Sequence, residues 1–169
     1  SHRGPDNQDM IHLYNQALLG HCRLSILDIE GGNQPMISED QRYSLVFNGE
    51  IYNYIELRDS LIQKGFYFKT SSDTEVLLKI LMFYGHSGVS MLQGMFAFVF
   101  HDKETNNWIA ARDPFGIKPL YYCSLMDELI FASEIKPFTL HPDITIARDN
   151  KSLREYLAFQ FCLKDSTLF

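Results

Sequence analysis

The sequence contains no apolar run long enough to span a membrane, no charged-then-apolar signal segment at its start, and no basic run or arginine-rich helix. The first of these absences argues against a membrane span and the last against a nucleic-acid binder. Nucleic-acid binding is also opposed by a net charge of -6, from 15 Lys plus Arg against 21 Asp plus Glu. Cysteine is scarce: Cys22, Cys123 and Cys162 are odd in number and lack CxxC spacing. A disulfide framework or zinc site is therefore not expected, and the pattern reads as a reduced, cytoplasmic protein with buried thiols. No GxGxxG, P-loop, internal repeat or low-complexity segment is present. The histidines (His2, His12, His21, His86, His101, His141) show no metal-ligand spacing, so they read as structural or solvent-exposed and no metal site is assigned.

What is present is apolar and aromatic. Hydrophobic residues make up 46% and aromatics 14% of 169 residues, enough for one folded domain with a core between packed layers. Residues 17–26 and 43–47 read as strands. Asn53 with Glu56 reads as a capping box, followed by Tyr54, Leu57 and Leu61 at helical spacing until Gly65. Ser72 with Glu75 is a second box, opening a helix whose stripe is Val76, Leu77, Ile80, Leu81 and Tyr84, with Gly85 in the stop position. After a short segment over 89–93, Met95-Phe96-Ala97-Phe98-Val99-Phe100 is apolar throughout, as in a strand buried on both faces. Residues 108–112 read as its partner, 120–123 and 129–133 as a hairpin around Asp127-Glu128, and Leu153, Tyr156, Leu157 and Gln160 as a last helix. The order predicts a layered α+β sandwich, not a Rossmann-type sheet.

Polar residues at structured positions carry the chemistry. Asn48-Gly49-Glu50 follows the apolar Leu45-Val46-Phe47, where the strand is expected to give way to a helix. An Asn side chain beside a Gly N–H can donate to the oxygen on which charge develops during acyl transfer, although an Asn-Gly pair can also be a plain turn. Arg23, between apolar neighbours, can grip a carboxylate in a bidentate fork or lie on a solvated strand face. Asp73 in a first helical turn is favoured by the helix dipole, and can also accept an ammonium. Glu50 is a further substrate contact or a surface residue. Together these groups fit an α-amino acid bearing an amide, namely glutamine.

The chain resembles the glutaminase domain of class II glutamine amidotransferases, in the form found in glutamine-hydrolysing asparagine synthetases. The matching runs include His2-Arg3-Gly4-Pro5-Asp6, Arg23-Leu24-Ser25-Ile26 with Asp28, Gly31-Gly32-Asn33-Gln34-Pro35-Met36 and Val46-Phe47-Asn48-Gly49-Glu50-Ile51-Tyr52-Asn53. They continue through Ser72-Asp73-Thr74-Glu75-Val76, Gly94-Met95-Phe96-Ala97-Phe98, Ala111-Arg112-Asp113, Gly116-Ile117-Lys118-Pro119-Leu120-Tyr121-Tyr122 and Ala132-Ser133-Glu134-Ile135-Lys136. The resemblance implies the four-layer αββα sandwich of N-terminal-nucleophile hydrolases. It implies that Arg23 with the backbone of Leu24, Ser25, Ile26 and Leu27 lines the glutamine site, that Asn48 and Gly49 form the oxyanion hole, and that Glu50 and Asp73 complete amino-acid recognition. The family nucleophile is an N-terminal Cys whose α-amine, with a pKa of ~7.7–8.0, can act as the base.

That Cys is expected upstream of the Arg-Gly-Pro-Asp turn. Neither the three cysteines nor Ser1 lies where it could stand in, so the chain as written is expected not to hydrolyse glutamine. Both ends read as cut, with a glutaminase domain over 1–150 and the start of a connection to a synthetase domain over 151–169. By resemblance this domain needs no cofactor, and ATP and magnesium belong to the synthetase domain of the same polypeptide. The expected acceptor is aspartate. Alternatives are another carboxylate, such as a sugar acid, or a scaffold domain without hydrolysis. A homodimer is left open.

Overall fold

The computed structural model describes residue 4 and residues 7–13, 17–23, 32–163 and 166–169, with the side chains of Asn7 and Arg23 left aside. By contacts the chain divides into two compact units, Ser1–Leu120 and Tyr121–Phe169.

In the first unit, β1 (Asn7–Leu13) and β2 (Ala17–Arg23) form an antiparallel hairpin with Met10 opposite Gly20. Strand β1 carries Gln8, Asp9 and His12 among its few apolar residues, which leaves no alternation to read from sequence. The main sheet is antiparallel in the order β3 (Met36–Ile37), β4 (Tyr43–Ile51), β5 (Gly94–Asp102) and β6 (Asn107–Arg112). Its register pairs Phe47 with Phe98 and Phe98 with Ala111. One face therefore gathers Leu45, Phe47 and Ile51 with Phe96, Phe98 and Phe100. These pack with Leu57 and Leu61 of α1 (Tyr54–Gln63) and Val76, Leu77, Ile80 and Leu81 of α2 (Asp73–Tyr84) in one apolar core. Each such side chain, fully buried, contributes roughly 1.5–3 kcal/mol. Strand β5 is buried on both faces as expected, from Phe96 through His101 and Asp102.

Strand β4 does not end at Phe47; it continues through Asn48, Gly49 and Glu50 to Ile51. The Asn-Gly pair is thus strand, not turn, because β5 supplies a partner for every residue from Tyr43 to Ile51. Gly49 permits this with φ +152, and an added Cβ would lie 2.1 Å from the Met95 carbonyl oxygen. The Asn53–Glu56 capping box is also corrected. Asn53 makes no side-chain cap; its Nδ2 donates to Met91 O at 3.0 Å and its Oδ1 accepts from Gln93 N at 3.0 Å. The backbone bond from Tyr52 N to Gln93 O (2.7 Å) brings that segment within reach, so tertiary partners outcompete the local cap. Ser72 does cap α2, accepting from Glu75 N, but the buried Glu75 carboxylate reaches back past the cap to Lys69 N and Thr70 N. Gly85 ends α2 with φ +56, and of the short segment read over 89–93 residues 89–91 belong to a 3-10 helix over Gly85–Met91.

The second unit begins with the expected hairpin, β7 (Tyr121–Ser124) and β8 (Leu129–Ala132), closed by Leu125 N donating to Glu128 O at 2.8 Å. A 3-10 helix over Lys136–Leu140 follows, then α3 (Asn150–Phe159). Asp149 caps α3, accepting from Lys151 N and Ser152 N at 3.1 Å each. Gln160 is left-handed at the C-cap, with φ 66. The cysteines are free, but they are not buried: Cys22 is exposed, and Cys123 and Cys162 are half-buried. Cys22 lies on the hairpin opposite Gln8, which shields it poorly. The mixture of antiparallel sheets and helices is the expected α+β class.

Candidate functional site

The site is built on the free edge of β4. Strand β3 pairs Met36 with Leu45 and Ile37 with Ser44, and among the described residues no strand pairs with that edge beyond Leu45. Residues 47, 49 and 51 point their N–H groups toward this edge, because alternate residues of an antiparallel strand face opposite neighbours. The outer members of that row are occupied. Phe47 N donates to Gln34 Oε1 at 2.6 Å, and Ile51 N donates to Asp73 Oδ2 at 3.0 Å. The Gly49 N–H between them faces away from β5, as the bonds of its neighbours require. It is a backbone donor held between two pinned ones.

The Phe47 carbonyl is taken as well, by the His21 ring of β2 with Nε2 at 3.0 Å. A carbonyl only accepts, so that nitrogen carries the proton. Beneath Gly49, strand β5 is fixed from the far side. Asp113 N donates to Phe96 O at 2.7 Å, and the Asp113 carboxylate accepts from Phe96 N at 3.3 Å. That carboxylate also accepts from Phe115 N, Ile117 N and Lys118 N, which folds the loop after β6 around it. Burial alone raises the Asp113 carboxyl, but these backbone donors outweigh it and hold the group below the usual range. Arg112 closes the loop from outside through Lys118 O at 2.8 Å and Gly116 O.

Asn48 lies on the sheet face away from the helices, in one row with Ala97 and Arg112. Among the described residues no hydrogen bond holds its amide. Glu50 is two residues further along the same face, opposite Met95. Asp73 is buried, with 6% of its surface exposed. Its carboxyl is pushed up by that burial, pulled back by the Ile51 and Thr74 N–H groups, and raised again by the negative charge of Glu50. Two carboxylates that feel one another at the end of β4 make a place where an ammonium is welcome, since a cation relieves both the burial and the repulsion.

The structure thus brings Asn48, Gly49, Glu50 and Asp73 to one end of the sheet. The Arg23 side chain and Leu24, Ser25, Ile26 and Leu27 lie outside the described residues; the Arg23 backbone ends β2, opposite Asn7. Sequence reading assigned no role to Gln34, His21 or Asp113, although two of them stand inside quoted motifs. For Gln34 the available signal was a proline at the next position, which cannot donate to a neighbouring strand and leaves a side chain to serve the edge.

A family model described as a glutamine amidotransferase domain matches residues 1–169. The chain belongs to the glutamine amidotransferase domain family. It is 49% identical over 168 residues to asparagine synthetase [glutamine-hydrolyzing] 1 of Bacillus subtilis (strain 168), covering 99% of this chain and 26% of that protein. It is 45% identical over 145 residues to the probable asparagine synthetase [glutamine-hydrolyzing] of Schizosaccharomyces pombe, covering 83% of this chain and 25% of that one. The chain therefore spans about a quarter of the length of these curated relatives. Among solved structures, it is similar to glutamine phosphoribosylpyrophosphate amidotransferase from B. subtilis complexed with ADP and GMP. That likeness has a TM-score of 0.61 at 32% identity and covers 73% of this chain and 29% of the other. This amidotransferase domain thus has the N-terminal-nucleophile hydrolase fold that the sequence led us to expect.

Proposed function

We propose that this amidotransferase domain hydrolyses glutamine to glutamate and ammonia within a longer polypeptide that uses the ammonia for ATP-dependent amidation of aspartate. The observation that carries the reading is the Gly49 N–H, which the register turns to the open edge of β4 between the pinned Phe47 and Ile51, with the Asn48 amide next to it. Rigid donors of this kind stabilise a developing oxyanion, and removing one typically lowers kcat by about 10²–10³.

In this mechanism Arg23 and the backbone of residues 24–27 take the substrate carboxylate, and Asp73 with Glu50 takes the ammonium. A Cys thiol supplied by the longer polypeptide attacks the side-chain amide carbon. The thiol proton passes to the Cys α-amine, the carbonyl electrons move onto oxygen, and Asn48 and Gly49 receive that charge. Collapse expels ammonia carrying the transferred proton and leaves a thioester, and water then releases glutamate and restores the thiol. No cofactor enters these steps; ATP and magnesium belong to the amidation half. Aspartate as acceptor is supported by the likeness to glutamine-hydrolysing asparagine synthetases. Residues 1–150 would form the glutaminase part and 151–169 the connection to the synthetase part, in a cytoplasmic enzyme.

The test uses protein made from the complete gene. It is incubated with a diazo-ketone analogue of glutamine, the adduct is located by mass spectrometry, and glutamate release is assayed alongside. An adduct on an N-terminal Cys together with glutamate formation is expected. Absence of both would overturn the glutaminase reading and leave a scaffold domain.

A further inference from the structure

Strand β3 ends partway along β4, and the register that pairs Met36 with Leu45 would, if extended, pair Gln34 with Phe47. Pro35 lies between them and offers no N–H. The Gln34 backbone does not complete the ladder; its side chain does, with Oε1 accepting from Phe47 N at 2.6 Å. Gln34 is 8% exposed, so this bond is made away from water, where losing an acceptor is costly. His21 Nε2 donates to the carbonyl of the same residue. Two side chains from separate segments therefore hold the two peptide groups that flank Phe47, at the edge of β4 beyond the end of β3. The next residues are Asn48 and Gly49. A tilt of either peptide group is transmitted along the strand to both, and an oxyanion donor displaced by a fraction of an ångström loses much of its effect.

We infer that Gln34 is a positioning residue for glutamine hydrolysis: by standing in for a strand at Phe47 it aims the Asn48 amide and the Gly49 N–H at the developing oxyanion. This rests on the glutaminase reading above. It also accounts for a Gln followed by Pro just before β3. A complete strand there would bury the Gly49 N–H in a ladder, whereas a side chain anchors Phe47 and leaves the position two residues on open to substrate.

The experiment uses the complete enzyme with Gln34→Met, which keeps the length of the side chain and removes the acceptor, and Gln34→Glu, which keeps both length and acceptor. Glutamate release is measured per folded molecule, with folding followed by circular dichroism. Binding of glutamate γ-semialdehyde, which forms a tetrahedral adduct with a thiol, is compared with binding of glutamate, which does not. Gln34→Met is expected to lower kcat about 10-fold or more with little change in KM, and to weaken the aldehyde by a similar factor while glutamate binding holds. Gln34→Glu is expected to recover most of kcat. An active wild type whose Gln34→Met variant keeps its kcat overturns this inference alone. So does a Gln34→Met loss matched by lost folded protein, or an equal weakening of aldehyde and glutamate. A wild type that releases no glutamate overturns the underlying glutaminase reading together with it.

Discussion

At Gly49 a methyl group would meet the Met95 carbonyl oxygen at 2.1 Å and Phe96 Cα at 2.7 Å, on a backbone with φ +152 that L side chains rarely adopt. Both neighbours are backbone, so neither can swing away. Gly49→Ala is expected to shift β4 against β5, to cost stability on the order of 1–3 kcal/mol in urea unfolding, and to abolish glutamate release by the complete enzyme. Asp73 poses the opposite case. Its carboxyl is raised above 3.8, chiefly by burial, so as pH climbs past 3.8 the folded protein holds a proton that the unfolded chain has released. Stability falls through that interval, and at neutral pH an ionised Asp73 is a net cost to the free domain. Asp73→Asn keeps an acceptor for the Ile51 N–H and removes the charge. It is expected to unfold at higher urea than wild type at neutral pH, with the gap closing as pH falls toward 3.8, and to raise the KM for glutamine about 10-fold or more. A variant no more stable than wild type at neutral pH would contradict the strain assigned to Asp73.

Among the elements, β5 and α2 carry the core, and the ends of the main sheet are secured differently. At the site end, carboxylates bind backbone N–H groups. At the far end, Arg42 grips Asp102 with Nε–Oδ1 at 2.8 Å and Nη2–Oδ2 at 2.7 Å, and reaches Glu104 at 2.5 Å. Asp102 also accepts from Thr105 Oγ1 and Glu104 N. The Arg42 guanidinium, chiefly, holds the Asp102 carboxyl far below 3.8 against the opposing effect of burial. A lowered carboxyl stabilises the fold fully above the unfolded value, and that stability is lost as pH falls through the folded one. Asp102→Asn is therefore expected to lower the melting temperature at neutral pH and to lose less than wild type on acidification; equal acid sensitivity of the two proteins would count against the ion pair. Phe98, buried to 1% exposure at the centre of β5, is expected to cost about 3–5 kcal/mol as Phe98→Ala in denaturant unfolding.

For the whole molecule, the buried Asp73 carboxylate at the edge of β4 couples ligand to stability. A ligand that binds only the folded protein stabilises it by ~2.7 kcal/mol at a concentration 100 times its Kd. Glutamate is expected to raise the melting temperature of the complete enzyme, and Asp73→Asn to erase most of that rise in differential scanning fluorimetry. A rise unaffected by Asp73→Asn would place the ligand elsewhere. No helix among the described residues is long and apolar enough to cross a membrane, which agrees with the absence of such a run in the sequence.

Elements whose signals are local were legible in the sequence. The stripe Val76, Leu77, Ile80, Leu81 with Ser72 before it and Gly85 after it specified α2, because caps and helical periodicity act within a few residues. The unbroken apolar run from Met95 to Phe100 specified a doubly buried strand for a similar reason. Asn48, Gly49, Glu50 and Asp73 could be named as candidates, since their chemical types are written in the chain. What they face could not. Whether Asn48-Gly49 is a turn or a strand depends on β5, some fifty residues away, offering it a partner. Whether Asn53 caps a helix depends on where Met91 and Gln93 arrive. Among the described residues nothing pairs with the Gly49 N–H, because β3 ends early and Gln34 reaches the edge with a side chain. The sequence by itself determined the helices, the buried strands and the chemistry available; only the tertiary structure decided which backbone groups stay unpaired, because hydrogen bonds between distant segments are settled by their meeting and not by either segment alone.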